Sequence, residues 1–204
     1  MFSAPDGDAD HRLEDTTALY YALLESERPE EALKLANDLA DSVPQRIQLT
    51  GQTVGDPNDD WVDAQLLAAQ AGADGTAGAD LPGTEQRLET LAGQAPGNIS
   101  VRLAQADLYR VRDWPRLSES LLKETESVAP RDVSLEVSQG HTAQDLQEWR
   151  QLDALTDDVV ERFPESRQVQ RLAREREVHD MAELRVMTYG CLLYTSDAAD
   201  EGLG

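Results

Sequence analysis

Apolar residues recur at three- and four-residue steps along most of this chain, the period of an amphipathic helix. Leu13, Ala18, Leu19, Ala22 and Leu23 mark one helix through Ser26, and Ala32, Leu35, Ala36, Leu39 and Val43 mark the next. Arg28-Pro29 separates them, and Pro44 closes the second. Proline suits a helix's first turn, and Glu30 and Glu31 suit its positive end. Residues 13–44 thus read as a first helix pair, after a disordered start over 1–12. The TGQTVGDP stretch is turn chemistry and makes 45–57 a linker. Residues 58–95 read as a second pair. Its first helix covers 60–71 behind an Asn58 or Asp59 cap, its second covers 84–94, and a long Gly/Ala/Asp loop lies between. Two further repeats occupy 96–129 and 130–163, with Asn98 and Asp132 as caps, Trp114 and Trp149 at the inner turns, and Gly140 where helices approach closely. A final helix spans 164–188, running from Ser166 to about Met187.

Prolines set the period. Pro96, Pro130 and Pro164 are spaced 34 residues apart, each between helical segments. That spacing with a closing proline marks a tetratricopeptide-type repeat. The predicted fold is an all-α helix-turn-helix solenoid of about three to four degenerate helix pairs. The step from Pro57 to Pro96 is 39 residues, so the inner loop must absorb the excess. In such solenoids the first helices of successive pairs line a concave face. Counting along the repeat puts Glu14, Tyr21, Glu25, Trp61, Asp107, Arg110, His141, Asp145, Glu175 and His179 on it.

Charge then narrows the partners. The chain carries 18 basic and 40 acidic residues, a net charge of −22. Nucleic acid and anionic membrane surfaces need a basic footprint and are excluded. A cationic partner fits, as does simple solubility. No apolar run approaches the roughly 18 residues of a membrane span. The start has neither the basic nor the apolar region of a signal peptide, which reads as a cytosolic protein or a fragment lacking its true start. The last stretch, 191–204, breaks the helical pattern, and 191–201 match an in-frame translation of a transposon-end sequencing adapter. It reads as adapter read-through and holds the only cysteine, Cys191. Three scattered histidines make no metal site, and Glu175, His179 and Glu183 read as a salt-bridge ladder. No nucleophile–base set, phosphate loop or paired-acid dyad is visible, so no enzyme and no cofactor are expected. Trp114 and Trp149 read as packing anchors.

The stretches PNDDWVDAQLLAAQ, APGNISVRLAQADLYRVRDWPRLSESLLKETESVAPRDVSLEV, LQEWRQLDALTDDVVERFP and VQRLAREREVHDMAELRV carry a more specific signal. They resemble the periplasmic region of bacterial outer-membrane exporters of poly-β-1,6-N-acetylglucosamine, over most of 13–187. The resemblance implies a non-enzymatic periplasmic superhelix, preceded by a secretion signal and followed by a transmembrane β-barrel. Such a superhelix receives the partly de-N-acetylated polymer and docks the periplasmic deacetylase, and the barrel exports the polymer for biofilm. This chain would then be a truncated fragment, the later part of the repeat region, on the periplasmic side of the outer membrane. Acidity gains a reason, because free amino groups on the polymer are cationic. Glu14, Tyr21, Glu25, Trp61, Asp107, Asp145 and Glu175 become the expected acidic and aromatic ligand face, with no membrane contact of its own. The alternative is a generic tetratricopeptide scaffold for a partner protein or peptide.

Overall fold

The computed structural model describes residues 6–47, 56–73 and 79–181. Nine helices occupy these described residues: α1 (Asp6–Glu25), α2 (Pro29–Ser42), α3 (Asp59–Ala73), α4 (Leu81–Gln94), α5 (Ile99–Val111), α6 (Pro115–Glu126), α7 (Val133–Asp145), α8 (Trp149–Arg162) and α9 (Arg167–Asp180). The fold is an all-α solenoid of helix pairs. Consecutive helices pack together, and each first helix also packs on the next, α1 on α3, α3 on α5, α5 on α7 and α7 on α9.

The core passes from pair to pair. Tyr20, Ala36, Leu39 and Ala68 join α1, α2 and α3. Leu88, Leu91, Val101 and Leu108 join α4 to α5, and Ala106, Leu122 and Leu135 tie α5 and α6 to α7. Leu152, Val159, Val169 and Leu172 close the series on α9. Each buried leucine or valine among them contributes about 1.5–3 kcal/mol. Small residues set the helix spacing. A Cβ on Gly140 of α7 would lie 2.8 Å from Leu172 Cδ2 of α9, so the expected close approach is real.

Three inner turns share one backbone device. Glu27, Asp113 and Gln147 all have left-handed φ, at 57°, 61° and 59°. The N–H groups of Arg28, Trp114 and Glu148 reach back to the carbonyls of Leu23, Tyr109 and Ala143 at 2.9, 2.8 and 2.8 Å. This is the Schellman pattern, built without its usual glycine. The expected caps are also present: Asn98 accepts from Val101 N at 3.3 Å, and Asp132 accepts from Leu135 N at 2.9 Å.

Three boundaries differ from expectation. Helix α1 begins at Asp6, so the disordered start is corrected over 6–12, and residues 1–5 lie outside the described residues. Residues 6–12 hold no large apolar side chain, and hydrophobic spacing could not reveal them. The ends of the 45–57 linker pair as β1 (Arg46–Ile47) and β2 (Asp56–Pro57), with Arg46 opposite Pro57. Buried Asn58 fastens this corner by donating to Pro44 O at 2.7 Å. Helix α4 starts at Leu81 rather than 84, because Asp80 accepts from Gly83 N at 3.0 Å and Pro82 suits the first turn. The stretch 182–187 expected to finish α9 and the adapter-like tail at 191–204 lie outside the described residues.

Two substitutions test this packing in opposite directions. Gly140→Ala forces a methyl into fully buried Leu172 and should cost about 1–3 kcal/mol in chemical denaturation. Gln147→Gly relieves a left-handed side chain and should raise stability by roughly 0.5–1 kcal/mol, read as a higher thermal midpoint.

Candidate functional site

The first helices enclose a groove of about 1100 Å³, walled by α1, α3 and α5, with Arg171 of α9 at its edge. Its floor is apolar, from Leu13, Ala18, Leu66, Leu103 and Val111. Acids stud the wall: Glu14 on α1, Asp63 on α3 and Asp107 on α5. Tyr21 is 46% exposed there, steadied edge-on against buried Tyr20 at 5.2 Å.

Farther along, the acids are partnered. Arg110 Nε reaches Asp145 Oδ2 at 2.6 Å, and its Nη1 reaches Asp107 Oδ1 at 3.4 Å. Glu175 takes His141 Nδ1 at 3.2 Å and Arg171 Nε at 2.8 Å. Arg110 thus links α5 to α7 and His141 links α7 to α9 along the concave side, with Arg171 bracing Glu175 within α9. Each exposed pair contributes only about 0.2–1 kcal/mol. The ladder orders the side chains more than it stabilises the fold.

Burial and these neighbours set the protonation states. Burial pushes the Asp63 carboxyl up, and Asp60 and Asp59 push it the same way. Asp107 is also raised by burial, with Asp145 adding, against the pull of Arg110 and His141. Its side chain is 59% exposed, so the carboxyl opens on the groove and the effect of burial on it is small. His141 is lowered, first by burial and then by Arg110, with Glu175 and Asp107 opposing. It is therefore neutral near pH 7 and donates from Nδ1 to Glu175.

The expected site residues are only partly assembled. Glu14, Tyr21 and Asp107 share the groove, while Asp145 and Glu175 stand in the ladder. Glu25 is exposed near the end of α1, away from the groove walls. Trp61 is half-buried against the core formed by Leu88, Leu91 and Val101. His179 leaves the expected face and stacks on Trp149, centroids 3.6 Å apart and planes at 15°. Asp63 was missed because counting on from Pro57 gives it a position off the expected face. Among the described residues, no group of three or more His, Cys, Asp and Glu could hold a metal ion. No helix among them is long and apolar enough to cross a membrane.

The protonation of His141 carries a pH test. A histidine lowered by folding stabilises the fold above its unfolded value near 6.5, and that contribution is lost as pH falls through the folded value. Stability should therefore decline on acidification below about pH 6.5, and His141→Gln should flatten that part of the curve. In NMR titration His141 should protonate below the ordinary histidine value near 6.5, and Arg110→Gln should bring it up.

No protein-family model and no solved structure matches the chain. Two curated proteins do, the poly-β-1,6-N-acetyl-D-glucosamine export proteins of Escherichia coli strain K12 and of Escherichia coli O157:H7. Each is 39% identical over 173 residues, which is 85% of this chain and 21% of the relative's length. Over 85% of its length the chain is a relative of one segment of poly-β-1,6-N-acetyl-D-glucosamine export proteins.

Proposed function

We propose that this segment is a non-enzymatic, periplasmic guide that passes partly de-N-acetylated poly-β-1,6-N-acetylglucosamine to an outer-membrane export barrel. The observation that carries the reading is the 39% identity to the export proteins over 85% of the chain. The groove supplies its physics. Glu14, Asp63 and Asp107 stand on walls with Arg171 as the one cation among the described lining residues. Ammonium groups on free glucosamine units would pair with these carboxylates, and successive weak pairs along one polymer add up by avidity. A polymer held this way slides, since no single pair is strong.

The same groove supports docking of a protein partner, in our reading the periplasmic deacetylase. Leu13, Leu66, Leu103 and Val111 offer an apolar strip that a polysaccharide fills poorly and a peptide side chain fills well. That strip is also the feature favouring the second reading, a general scaffold for a protein or peptide.

Arg110 makes the electrostatic account testable in two directions, since it occupies both Asp107 and Asp145. Calorimetry with glucosamine oligomers should show affinity that falls with added salt and is weaker for fully acetylated oligomers. Asp107→Asn should weaken binding of the cationic oligomer by about two- to fivefold, and Arg110→Gln should strengthen it by a similar factor. Equal affinity for both oligomers at every salt concentration would end the electrostatic account.

A further inference from the structure

Trp114 stands where the chain's other inner turns place Arg28 and Glu148. All three are the cap residue of the following helix and close the same backbone hydrogen bond. An arginine or a glutamate builds this turn equally well, so the turn itself does not call for an aromatic ring. Yet the Trp114 side chain is 44% exposed. Its ring is also held in place. The Arg112 guanidinium carbon lies 5.1 Å from the ring centroid, and Tyr109 leans on it at 6.5 Å and 40°. Arg112 is in turn anchored by Glu85 at 2.8 Å, with its own side chain 15% exposed. The other tryptophans offer no such plane: Trp61 packs into the core and Trp149 is covered by His179.

We propose that Trp114 is a carbohydrate-stacking platform outside the acidic groove, taking the C–H face of a pyranose ring of a β-linked glucosamine polymer; this rests on the polysaccharide reading above. A β-glucosamine ring with equatorial substituents carries its axial C–H bonds on both faces, with H1, H3 and H5 together on one, and that face matches the electron-rich surface of an indole. Backing by Arg112 and Tyr109 keeps the plane from collapsing onto the protein, so little side-chain freedom is lost on binding. Stacking needs no charge. The platform therefore grips acetylated and free units alike, while the groove selects the free ones. The division gives the segment a salt-independent hold beside a salt-dependent one.

The test uses fully acetylated β-1,6-glucosamine oligomers and the whole chain at about 1 M salt, where charges are screened beyond about 3 Å. Wild-type tryptophan fluorescence should respond to the sugar. Trp114→Gln, a polar residue like those in the sister turns, should bind about three- to tenfold more weakly and lose the fluorescence response. Trp114→Phe should restore most of the affinity. Nuclear Overhauser contacts between sugar C–H groups and the Trp114 indole need no variant and should be present. Unchanged affinity in Trp114→Gln, or no such contacts in a saturated complex, overturns the platform while leaving groove binding intact. Failure of the wild type to bind any oligomer at low or high salt overturns the polysaccharide reading and this site with it.

Discussion

No helix of this chain can bury its apolar stripe alone, and everything else depends on how that need is met. Each first helix packs on the next first helix as well as on its own partner. The contact is close only because small residues permit it. Gly140 admits Leu172, and Ala106 lies fully buried between Leu122 and Leu135. That stacking places α1, α3 and α5 side by side, and the groove is the space left on their open side. The binding surface is thus a by-product of core packing, and its wall spacing is fixed by residues that never meet a ligand.

Charge is organised differently along the same face. Near α1 and α3, Glu14 and Asp63 line the groove, and burial pushes Asp63 up. Toward α9 the acids are satisfied within the protein by Arg110, His141 and Arg171. A ligand ammonium entering that end must displace an arginine, whereas one entering the other end gains a carboxylate already short of partners. The concave side therefore has a direction: Glu14 and Asp63 lie toward the first repeat, and the acids held by arginine or histidine lie toward the last.

Much of the fold was legible in the sequence. Pro96, Pro130 and Pro164 fixed the period, and Asn98 and Asp132 marked helix starts that the backbone uses. Residues without apolar content were not legible, which is why the first two turns of α1 went unseen. The site was harder. A repeat count names a helix position but not its partner, so it could not tell that Asp145 and Glu175 would be engaged or that Trp61 would turn into the core. Counting on from Pro57 put Asp63 off the expected face and hid it. The apolar floor was invisible for a plainer reason, since Leu66, Leu103 and Val111 look in sequence like any core residue.

The central claim is that cationic glucosamine polymer lies along the concave side of the first helices. Titrating the isotope-labelled chain with a partly de-N-acetylated β-1,6-glucosamine oligomer and following backbone amide shifts reads this residue by residue. The account predicts that the largest shifts trace Glu14, Tyr21, Asp63 and Asp107 on α1, α3 and α5 and fade as salt is added. Shifts confined to α2, α4, α6 and α8, or of the same size with a fully acetylated oligomer, would contradict it.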